Sequence, residues 1–155
     1  MITEIERIAD QMRRAHDGEA LHGPSLEDIL EDVTAEAAVR RPIPASHNIW
    51  EIVLHIGVWE SIVRRRLSGE VVLGLTPEQD WPPVTDSSES SWKSALDELR
   101  HGHERLQQTI ARLADHQLGE PVPGMGYSVY FMLHGVVQHT LYHAGQIAIL
   151  KKVAG

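Results

Sequence analysis

The chain has 155 residues, 14 Lys and Arg against 22 Asp and Glu, a formal net charge of −8 and no cysteine. That length suits one domain, residues 1–155, with a core large enough to need no staple. The acidic balance excludes a phosphate-neutralising nucleic-acid binder and an anionic membrane surface as partners. The missing cysteine excludes disulfides, thiolate metal sites and a cysteine nucleophile, so any thiol would come from outside.

The first ten residues carry Glu4, Glu6 and Asp10 without an apolar run, which is no signal peptide. Instead, Ile2, Ile5, Ile8, Ala9 and Met12 form one stripe, predicting a first helix from about Ile2 to His16 that stops at Asp17-Gly18. Residues 17–46 form a long connection. Leu26, Ile29 and Leu30 after Pro24-Ser25 suggest a short helix there, Thr34 to Val39 a further turn, and Pro42 and Pro44 break any continuation. A second helix begins near Ser46 to Asn48, where Asn48 and Glu51 form a capping box, and ends at Ser68-Gly69. Ile52, His55, Trp59, Ile62, Val63 and Arg66 lie on or near one face of it.

Residues 69–86 read as a second long loop, carrying Gly69, Gly74, Pro77, Trp81, Pro82 and Pro83. Trp81 is placed to cover a pocket mouth. The third helix is expected from about Ser87 to His116, capped by Asp86 with Glu89. Trp92, Leu96, Leu99, His103, Leu106, Ile110 and Leu113 alternate steps of four and three along it, a bundle seam with a histidine in one core slot. Residues 117–127 break with three glycines and two prolines, and a fourth helix runs from about Ser128 to Lys152. Four amphipathic helices without a convincing strand predict an all-α, four-helix bundle, with long connections between helices one and two and between helices two and three. No apolar run approaches the roughly 20 residues of a membrane span. A cytoplasmic location is expected.

Ten histidines beside a single Phe direct attention to where the imidazoles sit. His139 and His143 are one turn apart, within the arc of Met132, Val136, Ile147 and Leu150, so they face the core. Such a pair is satisfied either by a metal or by mutual and backbone hydrogen bonds. His55, between Ile52, Trp59 and Ile62, is the natural third ligand, or else a lone core histidine bonded to a carbonyl or carboxylate. Glu51, one turn earlier, is a candidate general base, orienter or fourth ligand, and equally the N3 residue of the capping box. Gln146, three after His143, is a candidate to hold a ligand ring or a metal-bound water. His103 competes as a ligand. His134 reads as surface or interface, His101 as solvent-facing, His47 as next to a helix start, where it borders a pocket or caps, and His16, His22 and His116 as helix ends or loops. The nucleotide-binding glycine motifs, G-x-S-x-G, H-E-x-x-H and the paired Glu-x-x-His of di-iron bundles are all missing.

The segment His47-Asn48-Ile49-Trp50-Glu51-Ile52-Val53-Leu54-His55-Ile56, followed by Trp59-Glu60 and closed by Leu67-Ser68-Gly69, resembles the DinB/YfiT-like superfamily. So does Gly135-Val136-Val137-Gln138-His139-Thr140-Leu141-Tyr142-His143-Ala144-Gly145-Gln146-Ile147. The resemblance implies a four-helix bundle, often a homodimer, with a divalent metal on three histidines, which fall here on His55, His139 and His143. Characterised members of that superfamily use low-molecular-weight thiols, as bacillithiol-type S-transferases and a mycothiol-dependent isomerase do.

Two functional expectations follow. One is an enzyme holding Zn²⁺ or Ni²⁺, which imidazole does not separate, and activating a water or a low-molecular-weight thiol toward a small molecule. The other is a non-catalytic, stress-linked homodimer whose fourth metal position is filled by Glu51 or His103. A metal-free helical dimer with mutually bonded histidines is the remaining option.

Overall fold

The computed structural model describes residues 1–154, and every regular element among them is helical. Four long helices correspond to the four apolar stripes: α1 (Glu4–His16), α4 (Ile49–Leu67), α6 (Glu89–Ile110) and α7 (Val129–Ala154). The two long connections are not plain loops. The first carries α2 (Leu26–Leu30) and α3 (Ala35–Val39), and the second carries α5 (Pro77–Asp80).

Capping explains most of the starts. Asn48 accepts from the Glu51 amide at 2.8 Å while the Glu51 carboxylate accepts from the Asn48 amide at 3.1 Å, the expected box. Thr3 with Glu6, Ser25 with Asp28 and Thr76 with Gln79 build the same device at α1, α2 and α5. The cap of α6 differs from expectation: Ser88, not Asp86, accepts from the Ser91 amide. Asp86 instead bonds the Ser88 amide and hydroxyl and the Ser91 hydroxyl, and Glu89 reaches away to accept from the Ala35 amide. Gly69, with φ of +89°, reverses the chain after α4, a conformation that costs glycine little.

The third long helix also ends earlier than its seam suggests, at Ile110 rather than His116. Arg112 and Leu113 wind tightly back on Thr109 and Ile110, and a 3₁₀ turn follows over Asp115–Gly119. That turn sets the Asp115 carboxylate against the start of α1, where it accepts from the Glu4 and Ile5 amides at 3.0 Å each. Thr3 takes the Glu6 amide, so the first three orphan N–H groups of α1 are satisfied.

α4 packs against both α6 and α7, and so does α1, which places α1 and α4 diagonally across the bundle. Two apolar cores result. One gathers Leu26, Leu30, Ala38, Ile49, Ile52, Ile56, Trp92, Leu99, Ile147 and Leu150. The other gathers Ile5, Ile8, Met12, Val63, Leu106, Ile110, Met132, Leu133 and Val136. Trp92 ties the first connection to α6 by donating its indole N–H to the Val33 carbonyl at 2.6 Å. Along each long helix the residues between the two cores are polar: Glu60 follows His55 on α4, His103 lies on α6, His139, Thr140 and His143 on α7, and His16 closes α1. A layer of buried imidazoles, joined by the half-buried His139, thus crosses the middle of the bundle. No helix of the described residues is long and apolar enough to cross a membrane.

Candidate metal centre

The helical spacing of four carries His139 and His143 onto one side of α7, and α4 presents His55 opposite them. One ligand atom from each of the three lies within 4.8 Å of the other two. The ring centroids stand 4.9 Å apart for His55 and His139, 4.8 Å for His55 and His143, and 4.5 Å for His139 and His143.

The partners of these rings dictate where their protons sit. His55 Nδ1 lies 2.7 Å from the Asp80 main-chain oxygen, which can only accept. The proton of His55 is therefore on Nδ1, and Nε2 presents a lone pair. His143 Nδ1 lies 2.7 Å from Gln146 Oε1, so the same tautomer holds there. His139 Nε2 lies 3.0 Å from His55 Nε2, and its Nδ1 is buried without a partner among the described residues. Two imidazole nitrogens on one tetrahedral zinc are separated by roughly 3.3 Å, given Zn–N distances near 2.0–2.1 Å. Three converging imidazoles, two of them with fixed tautomers, fit a divalent cation.

Burial keeps the donors unprotonated. It pushes His139 down to about 3, with His143 and His55 adding repulsion against a positive ring. Burial also lowers His55, opposed by the Asp80 carbonyl and charge, and lowers His143, opposed by the hydrogen bond it donates to Gln146.

A short strap completes the wall. α5 delivers Asp80, whose Oδ1 accepts from the Trp59 indole at 2.9 Å and stands 3.2 Å from His55 Nδ1. The next residue, Trp81, is stacked on His55 at 3.7 Å, and His47 is stacked on the other face of Trp81 at 3.5 Å. Trp81 therefore lines the site as an aromatic slab between two imidazoles. Two cavities flank the centre. One, of about 430 Å³, is lined by His143, Gln146, Trp81, His47 and Tyr142. The other, of about 220 Å³, is lined by Trp59, Arg66, Tyr127, Phe131 and His139.

The remaining candidates lie elsewhere. Glu51 accepts from the Asn48 amide, sits 3.2 Å from His47 Nδ1, and pairs with Arg41. Burial opposes its ionisation, and those three partners outweigh burial and hold the carboxyl below its ordinary value. His103 turns to Glu60, 3.1 Å away, and not to the three-histidine group. His16, expected at a helix end, does end α1 but is wholly buried. Sequence reasoning did not single out Asp80, and Glu60 entered it only within the Trp59-Glu60 pair of the resemblance. The readable signal for Asp80 was the capping pattern of Thr76, Pro77 and Gln79 just before it.

A sequence profile of the DinB superfamily matches residues 22–147. The chain belongs to the DinB superfamily. Comparison with curated proteins and with solved structures gives no match. The match takes in α2 through most of α7, and so His55, His139 and His143, whereas α1 precedes it.

Proposed function

We propose that this DinB-superfamily chain is a metal-dependent enzyme in which His55, His139 and His143 hold Zn²⁺ or Ni²⁺, and that it activates a water or a low-molecular-weight thiol toward a small-molecule substrate, as a thiol S-transferase or a hydrolase. The observation that carries this reading is the convergence of three neutral imidazoles between two cavities, while Glu51 and His103 are engaged with other partners. When bound, the ion supplies a Lewis acid that lets a water or thiol lose its proton near neutral pH.

The chain's own groups have separable tasks. The Asp80 carbonyl and Gln146 hold the protons of His55 and His143 on Nδ1, which keeps both Nε2 lone pairs directed inward. Trp81 shields one face of His55 from water. The smaller cavity, with Trp59, Phe131 and Met132, suits an apolar portion of the substrate beside His139. Arg66 lines it with a guanidinium held by the Val72 carbonyl and the Tyr127 hydroxyl.

The alternative, a non-catalytic metal-binding homodimer, draws on one observation: Tyr130, Phe131, Tyr142, Ile149 and Val153 are exposed on α7. One experiment separates the two. The chain has no cysteine, so in the Co²⁺-loaded protein a thiolate-to-cobalt charge-transfer band can arise only from an added thiol. We expect that band in the wild type and its loss in His139→Ala. A wild type that binds Co²⁺ at this centre yet excludes both added thiols and exchangeable water would overturn the enzymatic reading and leave the dimer.

A further inference from the structure

A second cluster is sealed in the polar layer. His16 on α1, Glu60 on α4 and His103 on α6 each bring one ligand atom within 4.8 Å of the others. They are 1%, 1% and 4% exposed, respectively. The His16 and His103 rings stack 3.7 Å apart at 14°.

The hydrogen bonds of this cluster leave several of its donor atoms idle. The Gln107 amide nitrogen donates to the Ala9 carbonyl at 3.2 Å, which fixes the orientation of that amide. The same nitrogen faces His103 Nε2 at 3.4 Å, so Nε2 is a lone pair, only weakly engaged at that distance. On the other side of the ring, His103 Nδ1 donates to Glu60 Oε1 at 3.1 Å. Both ring nitrogens of His16 and the second oxygen of Glu60 are buried without hydrogen-bond partners among the described residues. Burial pushes His16 down to about 3, so that ring is neutral. The only ion-pair partner of the buried Glu60 carboxyl among the described residues is thus His103. An ionised carboxylate in such a place calls for a counter-charge.

We propose that His16, Glu60 and His103 form a second divalent-cation site, distinct from the three-histidine centre and of the zinc class. Two imidazole nitrogens and one carboxylate oxygen are a donor set that suits borderline-soft divalent metals. The ion neutralises Glu60, engages the idle donors and joins α1 to α4 across the bundle diagonal as well as to α6. A cavity of about 390 Å³ reaches His16 from the surface and is lined by Glu27, Asp28, Glu31 and Arg100. Glu27 Oε1 stands 3.9 Å from His16 Nδ1 at its floor, an acidic approach for a cation. His16 precedes the superfamily match at residues 22–147, so this site is built in part from α1, outside that match.

The test is a zinc titration of the full chain with the first centre disabled by His139→Ala, using Zn²⁺ alone and a competing chromophoric chelator. The wild type is expected to bind two equivalents, His139→Ala one, and His139→Ala with Glu60→Gln none. Zinc should also raise the melting temperature of His139→Ala but not of the double variant. A His139→Ala protein that retains no zinc would overturn the site and leave a proton shared within the cluster. Zinc retained undiminished after Glu60→Gln would overturn it too. Should the double variant fail to fold, zinc X-ray absorption on His139→Ala decides. With His55→Ala and His143→Ala added, two imidazole ligands in the spectrum support the site, and a shell without histidine refutes it.

Discussion

Asp80→Ala tests whether the strap positions the metal centre. Asp80 touches the site in three ways: its main-chain oxygen accepts from His55 Nδ1 at 2.7 Å, its Oδ1 stands 3.2 Å from that same nitrogen, and Oδ1 accepts from Trp59 Nε1 at 2.9 Å. Alanine keeps the first and removes the other two. The carboxylate charge makes His55 more basic, so its loss leaves a poorer ligand. Partners behind a ligating histidine are worth about 10- to 100-fold in metal affinity. Because the carbonyl survives, the loss should sit near the lower end, about 10-fold or about 1.4 kcal/mol. The assay is zinc competition against a chromophoric chelator, scored on the equivalent that His139→Ala abolishes. Asp80→Asn keeps an acceptor for Trp59 without the charge and should fall between alanine and wild type. Trp59→Phe, which leaves Asp80 beside His55, should bind zinc nearly as the wild type does. Undiminished zinc affinity in Asp80→Ala would refute the positioning role of the strap.

Three further outcomes follow from the packing and charge. Leu106 is fully buried in the core around α1, and Leu106→Ala should cost about 2–5 kcal/mol, seen as a fall in melting temperature of roughly 5–15 °C. Gly124 has φ of +74°, and a Cβ there would meet Val71 Cγ1 and Leu73 Cδ2 at 2.8 Å, so Gly124→Ala should lower the urea midpoint by an amount equivalent to about 1–3 kcal/mol. His16 stays neutral in the fold down to about 3, while the unfolded chain protonates it near 6.5. In chelator-treated protein its contribution is thus complete above that upper value and lost as pH falls below it, at roughly 1.4 kcal/mol per pH unit. His139 acts in the same direction. A urea midpoint unchanged from pH 7 to pH 5 would contradict this.

The parts of the fold legible in the sequence are those with enough turns to show a period. Ile5, Ile8 and Met12 marked α1, and the Trp92 to Ile110 seam marked α6. Leu113 continues that seam numerically, which carried the expected helix past its end. The end is set instead by the tertiary demand that Asp115 meet α1, and no local pattern encodes such a demand. α5 has four residues and no period to detect. His139 and His143 were legible by their spacing, and His55 by its apolar neighbours. The main contribution of Asp80 is a backbone carbonyl, which every residue owns and no side-chain pattern advertises. His16 lies one turn beyond the last apolar residue of its stripe, so it read as an end, whereas its ring is covered by residues far along the chain.

The Asp115 contact also bears on the order of assembly. The first helix of the chain receives two of its amide acceptors from a residue 110 or more positions later. During synthesis α1 emerges first, yet its leading turn and its apolar stripe stay in water until α6, the 3₁₀ turn and α7 have been made. Loop closure over that distance carries a larger entropic cost than the α4–α6 pairing, whose helices are separated only by the short α5 strap and its flanking loops. α1 is therefore expected to dock late, and a ribosome-stalled fragment ending before Asp115 would carry that helix without these two acceptors.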